Sequence, residues 1–371
     1  MKFLKLKMLN LLENAGIGVA STFIPLYANI LTNSYIMIGI IVSSYALAQS
    51  LSYTYFGRVS DRLANRVLFI RLGFLFSAIS FYAQILAFDG ISLLIIRIIA
   101  GVSTGIYTGA LIARYYEGGR DNVKLASIIS FGSLGWLIGI LGGGVLENIF
   151  DSNIKIIFLL SGSSFLVGFL ISLRIRDNPK GEVRRLLPII SSIKNNKIIY
   201  TTFLIRHVGA SAVWSIFPIF LSRIGADTLW ISIIYSINAL TQFVFMNRAS
   251  ILQNYSIAIK LGTILSSIVF LSYFLIEHYI LILPIQILLG VSWSLLYVGS
   301  LNYLLIKNQE KATVTSLLES TISVSAIIGP LIGGLLAELF EMKTVIFFAF
   351  IINSISIGLA SMLKITSKKN V

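Results

Sequence analysis

The sequence predicts an all-α integral membrane protein with twelve transmembrane helices in two pseudo-symmetric six-helix bundles. Three observations predict it. Of 371 residues, 56% are hydrophobic and only 12% charged, with a mean hydropathy of +0.89, whereas a soluble domain carries roughly 25% charged residues. The chain also divides into twelve apolar runs of about 20 residues, the length that crosses a hydrocarbon core as a helix. Finally, one half of the chain weakly repeats the other.

In chain order the expected spans are 8–31, 34–56, 67–88, 90–113, 123–146 and 153–173, then 198–222, 228–247, 256–276, 279–306, 312–337 and 343–363. They are numbered spans 1 to 12 below. Each must be helical, because lipid offers no water to unpaired backbone groups. Span 1 follows Lys2, Lys5 and Lys7 in the manner of a secretory leader. Its apolar run outlasts a leader's and lacks a small-x-small cleavage site, so it reads as an uncleaved first helix. An even number of spans puts both termini on one side. With the termini in the cytoplasm, about 24 of the 29 basic residues are cytoplasmic and three (Lys155, Arg223, Lys343) lie outside. The expected location is the cell membrane, multi-pass. The formal charge of +14 then follows the membrane and not a nucleic acid. There is no cysteine, which excludes disulfides and thiolate metal sites, and no cofactor is expected.

The least apolar stretch carries Arg174, Arg176, Lys180, Arg184, Arg185, Lys194 and Lys197. It divides an N-terminal bundle (1–174) from a C-terminal one (198–371), with 175–197 as a cytoplasmic linker. At an offset of 193, Glu13-Asn14 lies over Arg206-His207, Pro25 over Pro218, and Ala46 to Gln49 over Ala239 to Gln242. Arg97 to Ser103 lies over Gln286 to Ser292 at 189, and Gly135, Gly139, Gly143 and Gly144 lie over Ser325, Gly329, Gly333 and Gly334 at 190. Separate matches at nearly one offset mark parallel repeats.

Between spans 2 and 3, Gly57-Arg58-Val59-Ser60-Asp61-Arg62-Leu63-Ala64-Asn65-Arg66 packs three arginines and an aspartate into a short link. Its spacing, Gly-x-x-x-Asp-Arg-x-x-x-Arg, resembles the loop signature of the major facilitator superfamily. That resemblance implies that Asp61 meets the start of span 11, where a helix N-terminus attracts a carboxylate. It also implies that Arg62 and Arg66 belong to a cytoplasmic latch and that Gly57 is the leading glycine. Ala64 and Asn65 depart from the pattern. The glycines Gly135, Gly139, Gly143 and Gly144 of span 5, and Gly329, Pro330, Gly333 and Gly334 of span 11, resemble the family's exporter motif. Ile140 stands where that motif has proline, and simple small-residue packing is the alternative reading. Arg97-x-x-x-Gly101-x-x-x-Gly105 resembles a third signature, whose arginine is implicated in proton coupling.

A charged side chain inside a span costs about 2.5–3.5 kcal/mol, so it faces water, a partner or the bundle interior. Arg97 is accordingly either a site residue or a structural arginine. Glu13 and Arg206 occupy equivalent repeat positions with opposite charge. They are expected to approach when the cytoplasmic side closes and to separate when it opens; a permanent salt bridge is the alternative. Glu319 is a second proton candidate. His207, Asn14 and Gln286 are polar candidates for the cavity, and Trp214 and Trp293 could stack on a ligand or only pack.

The expected function is secondary transport by alternating access, as proton-coupled efflux of a small organic compound. The pattern is closest to drug/proton antiporter-like exporters. Uptake of a sugar or organic anion, by symport or facilitation, is the alternative. An enzyme is not expected, since there is no His-Glu-x-x-His, no cysteine and no paired intramembrane aspartate. The expected partners are a small-molecule substrate, protons and the lipid bilayer, with the chain a monomer.

Overall fold

The computed structural model describes residues 2–63, 65–118, 122–150, 153–175, 189–249, 254–308 and 311–363. Span 1 is Lys2–Leu31, span 2 Tyr35–Leu63, span 3 Arg66–Ala83, span 4 Gly90–Gly118, span 5 Asn122–Ile149 and span 6 Ile156–Leu173. Span 7 has two pieces, Lys197–Trp214 and Phe217–Arg223. Span 8 is Thr228–Ala249, span 9 Tyr255–Leu275, span 10 Ile282–Lys307, span 11 Lys311–Leu339 and span 12 Met342–Ser361. Among the described residues, ten helices are long and apolar enough to cross a membrane, and the broken pair, taken as one span, makes an eleventh. Span 1, at 30 residues, completes the twelve, its apolar run diluted by Asn10, Glu13 and Asn14. The all-α membrane fold read from composition is the fold observed.

Three local expectations need correction. Span 2 runs on to Leu63 and span 3 starts at Arg66, so most of the expected loop at 57–66 is helix. Asn65 is the turn: its Oδ1 accepts from the Leu68 N–H at 3.1 Å and caps span 3. Span 7 is not continuous but bends by 45° between its two pieces. Pro218 opens the second piece, where its missing N–H costs nothing. The basic linker contains a helix, Ile189–Asn195. Asn196, just after it, exchanges amide hydrogen bonds with Asn308 at 2.9 and 3.2 Å, which ties the linker to the end of span 10.

Some of the basic residues near the termini have structural work. Arg71 donates to the carbonyls of Leu173 and Ile175 at 3.1 and 3.0 Å, and Lys5 to that of Arg174 at 2.8 Å. These bonds satisfy the orphan carbonyls at the end of span 6, where the helix dipole favours cations.

Within the first six spans, span 1 packs on 5 and 6, span 2 on 4, and span 3 on 4 and 6. Within the last six, span 7 packs on 11 and 12, span 8 on 10, and span 9 on 10 and 12. Contact between the two sets runs through span 2 against span 11 and span 5 against span 8. One apolar core joins both sets at the end far from the termini, with Phe23, Tyr27 and Phe158 from the first and Phe217, Phe220 and Tyr273 from the second. At the end nearer the termini, the last six spans keep a separate core around Phe203, Leu296, Tyr303 and Leu318. The sets are fused at the far end and part toward the terminal end.

Candidate functional site

Glycines set how closely the helices approach. A Cβ on Gly135 would strike the Leu11 carbonyl, and one on Gly139 the Ala15 carbonyl, so span 5 lies backbone-to-backbone on span 1. Gly329 and Gly333 do the same for span 11 on span 7, against Val208 and Ala212. Gly143 meets Val19 within the first set. Gly144 and Gly334 point across to the other set. Gly144 abuts Ser232 and Thr228 at the start of span 8, while Gly334 abuts Tyr35 and Gly39 at the start of span 2. Tyr35 and Gly39 lie 193 residues before Thr228 and Ser232, the repeat offset itself, so the far-end contact is made twice by the duplicated scaffold. Pro330 lies inside a continuous helix, with its carbonyl against Gly39.

A carboxylate accompanies each crossing. Glu338 Oε2 accepts from the N–H groups of Tyr35 and Ile36 at 2.5 and 3.4 Å, and so caps span 2. Glu147 Oε1 accepts from the Thr228 hydroxyl at 3.1 Å, at the start of span 8. Negative charge at a helix N-terminus is stabilising. Arg223 adds a hydrogen bond to the Tyr35 hydroxyl. Sequence reasoning gave none of these residues this role, although the 193-residue offset relates Tyr35 to Thr228. Deeper in, Ser43 Oγ donates to the Ile327 carbonyl at 2.8 Å.

The interior groups of the first set gather around two tyrosines. Arg97 is 2% exposed and stands over the Tyr45 ring at 4.1 Å, while its Nε and Nη1 have no hydrogen-bond partner among the described residues. Glu13 stands beside the Tyr107 hydroxyl. Asn14 links neighbours, donating to Asn10 and accepting from Trp136 Nε1 at 3.0 Å.

In the second set, Arg206 is also 2% exposed, but it is held. Its Nε and Nη2 both donate to Ser266 Oγ, at 3.0 and 2.8 Å. Ser266 in turn bonds Ser292 at 2.7 Å. Arg206 and Glu13 are therefore unpaired in this state, each engaged within its own set. His207 is stacked between Phe203 and Trp293, at 5.7 and 5.1 Å. Trp293 continues to Tyr297, whose hydroxyl donates to Glu319 Oε1 at 2.6 Å. Gln286 is fully buried, beside the Tyr273 hydroxyl. Trp214 packs at the bend of span 7 against Phe217 and Tyr235, at 5.3 and 5.6 Å, which is a packing role.

The expected latch at Asp61 and Arg62 lies outside the described side chains. Gly57 is in the last turns of span 2, and a Cβ there would meet nothing. Arg66 opens span 3.

Two sets of six helices, joined at one end by a doubled contact and enclosing charged groups on spans 1, 4, 7 and 11, have the two-bundle architecture of secondary transporters. A family model described as Major Facilitator Superfamily matches residues 8–308, and the chain belongs to that superfamily. The multidrug resistance protein MdtG of Citrobacter koseri is 26% identical over 220 residues, which are 56% of this chain and 53% of that protein. MdtG of Escherichia coli (strain 55989 / EAEC) is 24% identical over 220 residues, with the same coverage. The chain thus spans about half the length of the curated relatives it matches. A crystallised mutant of the nucleoside transporter NupG superposes with a TM-score of 0.81 at 14% identity, covering 98% of this chain and all of that one. A bacterial homolog to the human lysosomal transporter Spinster, in an inward-facing and occupied conformation, gives 0.75 at 14%, covering 97% and 95%. Identities this low speak to fold alone. Members of that superfamily are membrane transporters and not enzymes.

Proposed function

We propose that the chain is a proton-coupled exporter of small organic compounds in the cell membrane, acting as a monomer with both termini in the cytoplasm. The bundles 1–174 and 198–371 rock about the linker 175–197. The observation that carries this reading is the asymmetry of the two ends. The doubled Glu338–Tyr35 and Glu147–Thr228 contacts tie the far end shut, and the apolar cores separate toward the terminal end. With the termini in the cytoplasm, this is the inward-open state. The kinship with MdtG, named a multidrug resistance protein, supports export.

Coupling is assigned to Glu13. It has no cationic partner among the described residues in this state and stands on the span equivalent to that of Arg206. Closing the terminal end would bring the two together, so that Glu13 carries a proton in one state and meets a cation in the other. Asp61, Arg62 and Arg66 would latch that closure. The test is transport in liposomes. A pH gradient should drive accumulation by the wild type, whereas Glu13→Gln should lose gradient-driven accumulation and keep solute exchange. Equal gradient response in both proteins would sink the assignment. Uptake of an organic anion is the second reading, favoured by the two unpartnered nitrogens of Arg97. Arg206 contributes little to it, being spent on Ser266.

A further inference from the structure

We propose that the second set carries a binding site for planar organic cations, in which Glu319 meets the positive charge and the Tyr297–Trp293 stack meets the ring. The site rests on the transporter reading and deepens it by naming a substrate class.

Glu319 looks inward. On span 11 the exposed apolar residues Val324, Ile328, Leu331 and Leu335 mark the lipid side. Gly329 and Gly333 mark the side against span 7, and Pro330 and Gly334 the side against span 2. At 100° per residue, Glu319 falls between those two contact faces, roughly 160° from Leu335. It is nevertheless exposed, because the helices part on that side toward the terminal end. A structural carboxylate would be covered there, whereas this one is open to the interior.

Rings extend from it. Tyr297 and Trp293 lie 5.4 Å apart with planes within 17°, and His207 follows at 5.1 Å. The series crosses from span 10 to span 7, and its half-buried rings leave aromatic surface beside the carboxylate. Charge along the series is one-sided toward a ligand. Arg206 lies 5.4 Å from Trp293 at the inner end, but in this open state burial and its two bonds to Ser266 hold it away from the open side. The accessible charge is therefore the negative one. A planar cation gains both the carboxylate's attraction and the quadrupole of the rings, while an anion gains the rings and is repelled. Tyr297 uses one oxygen of Glu319, which leaves the carboxylate further acceptor positions.

The test is equilibrium binding to the purified full chain at fixed pH with no gradient, using ethidium as the planar cation and fluorescein as the planar anion. Ethidium should bind at least tenfold more tightly than fluorescein. Glu319→Gln should weaken ethidium at least tenfold and Glu319→Asp should recover most of the loss. Trp293→Leu should weaken it several-fold, and Tyr297→Phe, which keeps the ring, should stay within threefold. Unfolded Glu319→Gln would be recognised by its thermal transition, in which case the dye comparison and Trp293→Leu decide. Wild-type affinity in folded Glu319→Gln, equal binding of the two dyes, or no binding of ethidium would each overturn the site. Protein that fails these tests yet carries a solute across liposomes loses the site and keeps the transporter reading. Protein that passes them yet moves no solute keeps the site and loses that reading.

Discussion

The two six-helix sets share a scaffold and differ in what they do with charge. In both, a glycine helix lies backbone-to-backbone on the helix that opens the set, span 5 on span 1 and span 11 on span 7. In both, the last glycine crosses to the partner set beside a carboxylate. The interior differs. The first set holds Glu13 beside a tyrosine and leaves two nitrogens of Arg97 without a partner among the described residues, whereas the second fastens Arg206 to Ser266 and leaves Glu319 open. Duplication has conserved the joints and divided the chemistry. Groups able to exchange partners sit in the first set, and a fixed, aromatic, anionic surface sits in the second.

The largest effect should come from the joints. Gly139→Leu drives a side chain into the Ala15 carbonyl, an overpacking worth about 1–3 kcal/mol or more, and should lower both the yield and the thermal midpoint of purified protein. Gly57→Ala is the control. Its Cβ enters open space within a helix, so the midpoint should not fall, and alanine's helix propensity should raise stability by up to about 1 kcal/mol. Equal effects would break the claim that glycine at this joint is needed for close approach.

Next in size is the fixed arginine. Ser266→Ala removes both bonds to the Arg206 guanidinium, and hydrogen bonds to charged groups are worth about 1.5–3 kcal/mol. Unfolding of the second set should show that loss. If Ser266→Ala is neutral, Arg206 is not held and the contrast between the sets weakens.

A smaller shift belongs to the far-end carboxylates. Glu338→Ala removes an acceptor from the first N–H groups of span 2, worth about 1 kcal/mol, which is about a fivefold change in the balance of open and closed ends. Substituting Glu147 as well should roughly double the free-energy shift, provided the two contacts act independently.

The smallest concerns Asp89, which lies outside the spans. Its Oδ1 accepts from the Ser92 N–H at 2.7 Å and caps span 4. The hydrogen bonds from Ser92 hold its carboxyl below the usual aspartate range. The contribution is therefore present above the unfolded aspartate pKa and fades as pH falls through the lower folded value. Asp89→Asn should flatten that acid limb of the stability curve and leave neutral pH nearly unchanged.

Much of this was legible in the chain itself. Apolar length alone located the spans, because lipid forces helix on any run that crosses it. The repeat offset aligned Gly139 with Gly329 and Glu13 with Arg206. What the sequence could not convey was rotation and partner choice. Whether Arg206 turns toward Glu13 or toward Ser266 depends on packing sixty residues away, and periodicity is silent on it. The break in span 7 hid inside a continuous apolar run. Glu338 was not legible, because a carboxylate at a helix end is ordinary until the N-terminus it caps, some 300 residues distant, is seen beside it.

The central claim is that the doubled carboxylate contacts hold the far end closed while the terminal end is open. With no native cysteine to remove, spin labels can be placed freely, at Phe88 and Leu281 for the far end and at Asn65 and Lys307 for the terminal end. Pulsed dipolar distances in lipid nanodiscs should show the wild type short at the far end and long at the terminal end. Glu147→Ala combined with Glu338→Ala should move population toward the opposite arrangement at both pairs together. Distance distributions left unchanged by the double substitution would contradict the account.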